Sequence, residues 1–380
     1  MEKTKNKSDN KHKNEKTLQK ADSLRQKALY RQSLALLRST QRSIGSADYE
    51  NLYNCHILSG HNWRMLGDFG KAITHYEKAG LYAGKLEGQS RQADASASLA
   101  LSHRAQGDWK KALALLLQSE KIYKKLNDEE ALAFVLWSKG GTLRIKGDIE
   151  GAIKAFSEAK KIFTRLGDIH AAGYCLNGLG GALRIKGSYK SSLSNYTKAN
   201  ALFGQIKDPF GLAYSFCGIG NAMRMSGSHE EALAYFRKAL RIYRRIGDIV
   251  SSSYTLWSTS KSLAILDKKA LALRSLKEAE KLFGKTRDPR GKIYCLLSEA
   301  ELKSAQGRVK TAVGLAQKAL EAAKEHGFDV EACHASSLLD HLANGSKSTP
   351  SHKKSLKKPD CYKKLGLKKP DFSNLPVNIP

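Results

Sequence analysis

Between Asp168 and Gly187 the apolar residues Tyr174, Leu176, Leu179, Leu183 and Ile185 fall at helical spacing. A second apolar stripe follows Ser188, at Leu193, Tyr196, Ala199, Leu202 and Phe203. Asp168 and Ser188 suit helix N-caps, and Gly187 suits a helix stop. The pattern predicts two antiparallel helices of about 16–18 residues each, about 25 Å long at about 1.5 Å rise per residue. It then repeats. Arg64, Arg104, Arg144, Arg184 and Arg224 stand forty residues apart, and each is followed three residues later by a glycine, from Gly67 to Gly227. Asp128, Asp168, Asp208, Asp248 and Asp288 keep the same interval, with Asp48 in register upstream. A fixed period of about 20–50 residues marks a repeat array, which works by presenting a surface.

Three columns of small residues show how the helices must pack. One in the first helix of each pair reads Gly60, Ala100, Gly140, Gly180, Gly220, Ser260 and Ala300. Two in the second helix run from Ala72 to Ala312 and from Ala79 to Ala319, with Ser192 and Ser119 as their only non-alanine members. An internal helical glycine costs about 1 kcal/mol relative to alanine, so close helix–helix approach is the physical reason to keep it. Between these columns lie large residues, Tyr76, Leu116, Phe156, Tyr196, Phe236 and Leu276.

On these residues the sequence resembles the tetratricopeptide repeat. The small residue of the first helix, the two alanines of the second and the aromatic between them match that repeat's signature. The forty-residue period resembles its long variant, as in kinesin light chains and G-protein-signalling modulators. Leu176, Leu179, Gly180 and the Gly167-Asp168 junction match the units of those arrays. The proline that closes the 34-residue form is absent, with Lys124, Thr164 and Gly204 in its place. The resemblance implies an all-α fold, a right-handed superhelical solenoid of antiparallel helix pairs. It covers seven units over residues 48–327. Residues 17–46 read as a degenerate capping helix pair and residues 328–343 as a C-terminal capping helix. Residues 1–16 read as a disordered basic tail, and residues 344–380 as a disordered Lys/Pro-rich tail in which LKKPD occurs at 356–360 and 367–371.

Composition adds charge to this picture. The net charge is +29, of which the two tails carry +4 (residues 1–20) and +7 (residues 344–380), so the array itself holds +18. A basic body favours acidic partners, an acidic protein segment above all, then nucleic acid or an anionic surface. No run approaches the roughly 18 apolar residues of a membrane helix, and the N-terminus has no apolar signal core, so a cytoplasmic protein without membrane insertion is expected. Cys55, Cys175 and Cys295 share a small-residue packing column, and the six cysteines are expected as structural free thiols. No spacing suits a metal, a cofactor or a catalytic motif, so the chain is expected to be non-enzymatic.

The candidate site follows from the register. Tyr174, Tyr214 and Tyr254 form a column on the first helices. Trp137, Asn177 and Trp257 lie three residues further along, Gly141, Gly181 and Asn221 seven, and Arg144, Arg184 and Arg224 ten. Steps of 3, 4 and 3 trace one helix stripe. In the arrays this chain resembles, the first helices line the concave side. These residues are therefore expected to line a peptide groove, with one rung per three ligand residues at about 3.3 Å per residue. Arginine forks suit carboxylates and the Gly181 column leaves room, so the expected ligand is an acidic, aromatic-bearing segment. Two structural readings stand beside this one. Each arginine sits where a cation complements the helix dipole, three of them four residues before an aspartate, and the tyrosines can pack between neighbouring helices. Nucleic-acid binding and self-assembly are the rival classes. The second ranks lower because a basic tail would be repelled by an arginine-lined groove.

Overall fold

Aspartate side chains start the helices. Asp48, Asp68, Asp108, Asp148, Asp168, Asp208 and Asp288 each accept a hydrogen bond from a backbone N–H in the first helical turn. Ser188 stands at the equivalent place without a capping bond from its side chain. The helices end as regularly. Every twentieth residue from 67 to 327 has positive φ, nine of them glycines, with Glu87, Asn127, Lys207, Asp267 and Arg287 at φ 53–57° in the remaining places.

The computed structural model describes residues 2–345, 360–372 and 375–379, and the side chains of residues 10–343 and of the two later segments. The described residues form eighteen helices and no strand, packed as consecutive pairs. The chain divides into two compact units, residues 1–138 with 246–248, and residues 139–245 with 249–380. The first unit contains α1 (Glu2–Gln26), α2 (Tyr30–Gln41), α3 (Tyr49–Met65), α4 (Phe69–Lys85), α5 (Gln89–Ala105), α6 (Trp109–Leu126) and the first half of α7 (Glu129–Lys146). The second takes up the rest of α7 and continues through α8 (Ile149–Arg165), α9 (Ile169–Lys186), α10 (Tyr189–Gln205), α11 (Pro209–Met225) and α12 (His229–Ile246). It is completed by α13 (Ile249–Ile265), α14 (Lys269–Thr286), α15 (Pro289–Ala305), α16 (Val309–His326), α17 (Asp329–Gly345) and α18 (Cys361–Lys364). From α3 to α17 the odd-numbered helices, called A helices below, begin forty residues apart.

In the first unit, residues 2–16 are helical where disorder is expected from their composition. The whole of α1 is continuous, and its inner end is tied down. Leu18 and Ala21 are buried with Leu37, Ile44, Leu52 and Cys55, while Ser43 donates to Asn14 Oδ1 at 2.8 Å. A second cluster gathers Ala93, Ala97, Ala100, Ala112, Leu116, Tyr123 and Val135.

In the second unit the aromatics of the second helices sit directly over glycines of the A helices on both sides. The Phe156 ring covers Gly140 and Gly178, and Tyr196 covers Gly180 and Gly218. A Cβ on Gly218 would lie 2.1 Å from the Tyr196 ring. The small-residue column thus has a partner column two residues earlier, and the ring needs both. The turn at Gly147 lies against the start of α17, where a Cβ would stand 3.2 Å from that of Asp329.

Two cysteines depart from the free-thiol expectation. Cys55, Cys175, Cys217 and Cys295 are free and buried, but Cys333 and Cys361 form a disulfide with Cα atoms 5.8 Å apart. The cause is the segment 360–372, which packs onto the second unit instead of remaining disordered. Tyr362 is buried and its hydroxyl bonds His334 Nδ1 at 2.5 Å. Lys368 N donates to Lys186 O, so the second LKKPD lies on the unit. Residues 346–359, with most of the first LKKPD, lie outside the described residues.

Candidate peptide-binding face

The A helices α9, α11, α13 and α15 of the second unit bring their side chains to one face. Arg224 of α11 is its centre. Its side chain is 0% exposed, lies 5.5 Å from the Trp257 ring of α13 and donates from Nη2 to Asn221 Oδ1 at 3.3 Å. Burial and the neighbouring Arg184 charge push its guanidinium down to about 9, which leaves it protonated at neutral pH. Lys261 and Glu301 form a buried ion pair beside it. Burial pushes Glu301 up and Lys261 down, and each charge opposes the other's shift.

The chain's own C-terminal segment lies on this face. Arg224 Nη1 donates to Asn378 Oδ1 at 2.5 Å, and Nη2 donates to Ile379 O at 2.9 Å. Asn378 Nδ2 returns a bond to Arg224 O at 2.7 Å, and Val377 N donates to Glu301 Oε1 at 3.2 Å. Val377 and Ile379 are buried. The repulsion expected between a basic tail and the arginines does not arise, because the residues that reach Arg224 are uncharged; the lysines stop at Lys369. Nor does the segment cross one helix per three residues. Adjacent Val377 and Asn378 bond Glu301 of α15 and Arg224 of α11.

The other residues expected on this stripe divide by role. Tyr174 donates its hydroxyl to Asp208 Oδ2 at 2.6 Å, and Tyr254 does so to Asp288 Oδ2 at 2.8 Å. Both aspartates cap the next A helix, so these tyrosines tie neighbouring pairs together. Tyr214 stacks on Phe210 at 6.2 Å. Trp257 donates to Ser298 Oγ at 2.9 Å. Trp137, in the first unit, packs on Phe134. Arg144 takes the space beside Gly181, where a Cβ would meet Nη1 at 3.4 Å and the Tyr196 hydroxyl at 3.2 Å, so the room that glycine leaves is filled. Asn177 is fully buried with neither amide atom hydrogen-bonded, and Arg184 Nε and Nη1 are buried without partners. Such groups cost about 1–3 kcal/mol each when unsatisfied. Lys261 and Glu301 escape a reading that stops at Asn221, although they continue its column at the forty-residue interval.

The fold and this face define a helical-hairpin repeat protein that carries a later segment of its own chain on its A helices. Residues 174–245 match the family model described as tetratricopeptide repeat, and the surrounding pairs share that TPR-like architecture. No curated protein sequence matches the chain. Among solved structures, a Rap protein complexed with Competence and Sporulation Factor is similar at TM-score 0.60 and 13% identity, over 88% of this chain and 98% of that one. NprR in complex with its cognate peptide NprX gives TM-score 0.57 at 15% identity, over 87% and 98%. The apo form of RapI gives 0.54 at 15% identity, over 72% and 97%. At these identities the likeness is one of fold. No helix among the described residues is long and apolar enough to cross a membrane.

Proposed function

We propose that the protein is a non-enzymatic scaffold that holds an extended segment of a partner protein on the A-helix face of its second unit. The observation that carries this reading is the seating of residues 377–379, which engages Arg224 and Glu301 through both main chain and side chain. Asn177 and Arg184 support it with buried donors and acceptors still unused. NprR, of the same fold, is known in complex with a peptide. An acidic residue in the partner segment suits Arg184, whose guanidinium donates to a carboxylate.

The test is selection from a displayed library of random peptides. The wild-type chain and a chain with Val377→Asp and Ile379→Asp serve as baits, each beside its Arg144→Glu/Arg184→Glu counterpart. Peptides should enrich on the parent chains and be lost on the charge-reversed ones while circular dichroism stays helical. No enrichment on either parent, or enrichment indifferent to the two arginines, would overturn the reading.

A further inference from the structure

We propose that residues 375–379 are a built-in ligand of this face, and that the partner segment displacing them carries an asparagine between apolar residues. The inference rests on the function proposed above and specifies what that face reads. Asn378 is bonded at both ends of its amide. Oδ1 accepts from Arg224 Nη1, and Nδ2 donates to the carbonyl oxygen of the same arginine. A primary amide supplies that acceptor and donor on one planar group, whereas a carboxylate supplies acceptors alone. Aspartate would keep the guanidinium bond but set a carboxylate oxygen against the Arg224 carbonyl. The acidic ligand expected from the arginine ladder is therefore mismatched at this rung, where Glu301 adds a second negative group.

The flanking residues carry the rest of the recognition. Val377 and Ile379 are 0% and 2% exposed, and Ile379 N donates to Val377 O at 3.0 Å, closing a tight turn whose central residue, Asn378, bonds Arg224. Arg224 Nη2 on Ile379 O and Glu301 on Val377 N hold the main chain regardless of sequence. The segment is delivered by two earlier anchors, the Cys333–Cys361 bond and the Lys368 contact at the end of α9. A peptide bound through Arg224 and Glu301 cannot share them with residues 377–379, so partner binding requires the tail to leave.

A fluorescent peptide with the sequence of residues 371–380, DFSNLPVNIP, tests this by anisotropy. It should bind the full chain carrying Val377→Asp and Ile379→Asp at least about tenfold more tightly than the wild-type chain, whose face is already filled. Adding Arg224→Ala should abolish binding, and a peptide with aspartate at the Asn378 position should bind at least about tenfold more weakly. Equal binding to wild-type and substituted chains would overturn occupancy by the tail. Absence of binding to the substituted chain, with helicity intact, would overturn the ligand role. Equal binding of the asparagine and aspartate peptides would overturn the amide readout. Each of these results leaves the library selection free to succeed, so failure here is distinguishable from failure of the scaffold reading.

Discussion

His56 and His75 show what a periodic reading of single residues misses. They lie nineteen positions apart, on α3 and α4, yet their Nδ1 atoms are 2.9 Å from each other. One nitrogen must donate and the other accept, so the two facing nitrogens cannot both be protonated while that bond stands. Burial pushes both down to about 4, with the Lys78 charge adding to each and His75 adding to His56. A histidine depressed in the folded state contributes stability that is present above its unfolded value of 6.5 and is lost as pH falls through about 4. Thermal stability should therefore fall between pH 6.5 and 4. His75→Gln, which keeps a neutral hydrogen-bonding group, should flatten that slope. Melting curves across the window check it, and parallel slopes for the two proteins would rule the pair out as the source.

The helix junctions are the most legible elements in the chain and also carry a correctable cost. Gly67, Gly107, Gly147, Gly187 and Gly227 are readable as helix stops, and each has positive φ. Five sister junctions place a side chain in the same left-handed conformation, at about 1–2 kcal/mol each. Lys207 is exposed, at φ 55°. Lys207→Gly should raise stability by about 1 kcal/mol, visible as a higher denaturant midpoint at unchanged slope. The pairing of helices is equally open to inspection, because small and aromatic columns recur at one interval. The role of the tyrosine column is not. Tyr174 satisfies both the groove reading and the packing reading until its hydroxyl is seen on Asp208, one repeat along. The column through Asn221, Lys261 and Glu301 is legible, but its change of residue type at each step hides it from a search for identity.

At the scale of the whole molecule, the repeat pattern says nothing about the segment that fills the face. Residues 360–379 have no period, and their composition reads as solvated chain. Residues 360–372 and 375–379 dock through helices distant in sequence, as when Asn378 meets Arg224, 154 positions away. The disulfide is hidden for the same reason, since Cys333 lies on a helix and Cys361 in the apparent tail. Its removal provides a prediction at this scale. Cys333→Ser with Cys361→Ser should lengthen the tether and let the labelled DFSNLPVNIP peptide bind about two- to tenfold more tightly than it does to the wild-type chain. Titration by anisotropy measures the shift, and an unchanged affinity would mean that the bond does not position the segment.

The anchored tail also sets a threshold for any incoming signal. A short tether holds its end at an effective concentration of about millimolar near its site. A partner present at micromolar levels gains nothing by matching the tail's intrinsic affinity; it must exceed it by about three orders of magnitude to occupy half the molecules. Weak encounters with abundant asparagine-bearing sequences are thereby filtered out. The anchor at Cys361 is covalent and reducible, so the surrounding thiol poise sets how demanding that filter is.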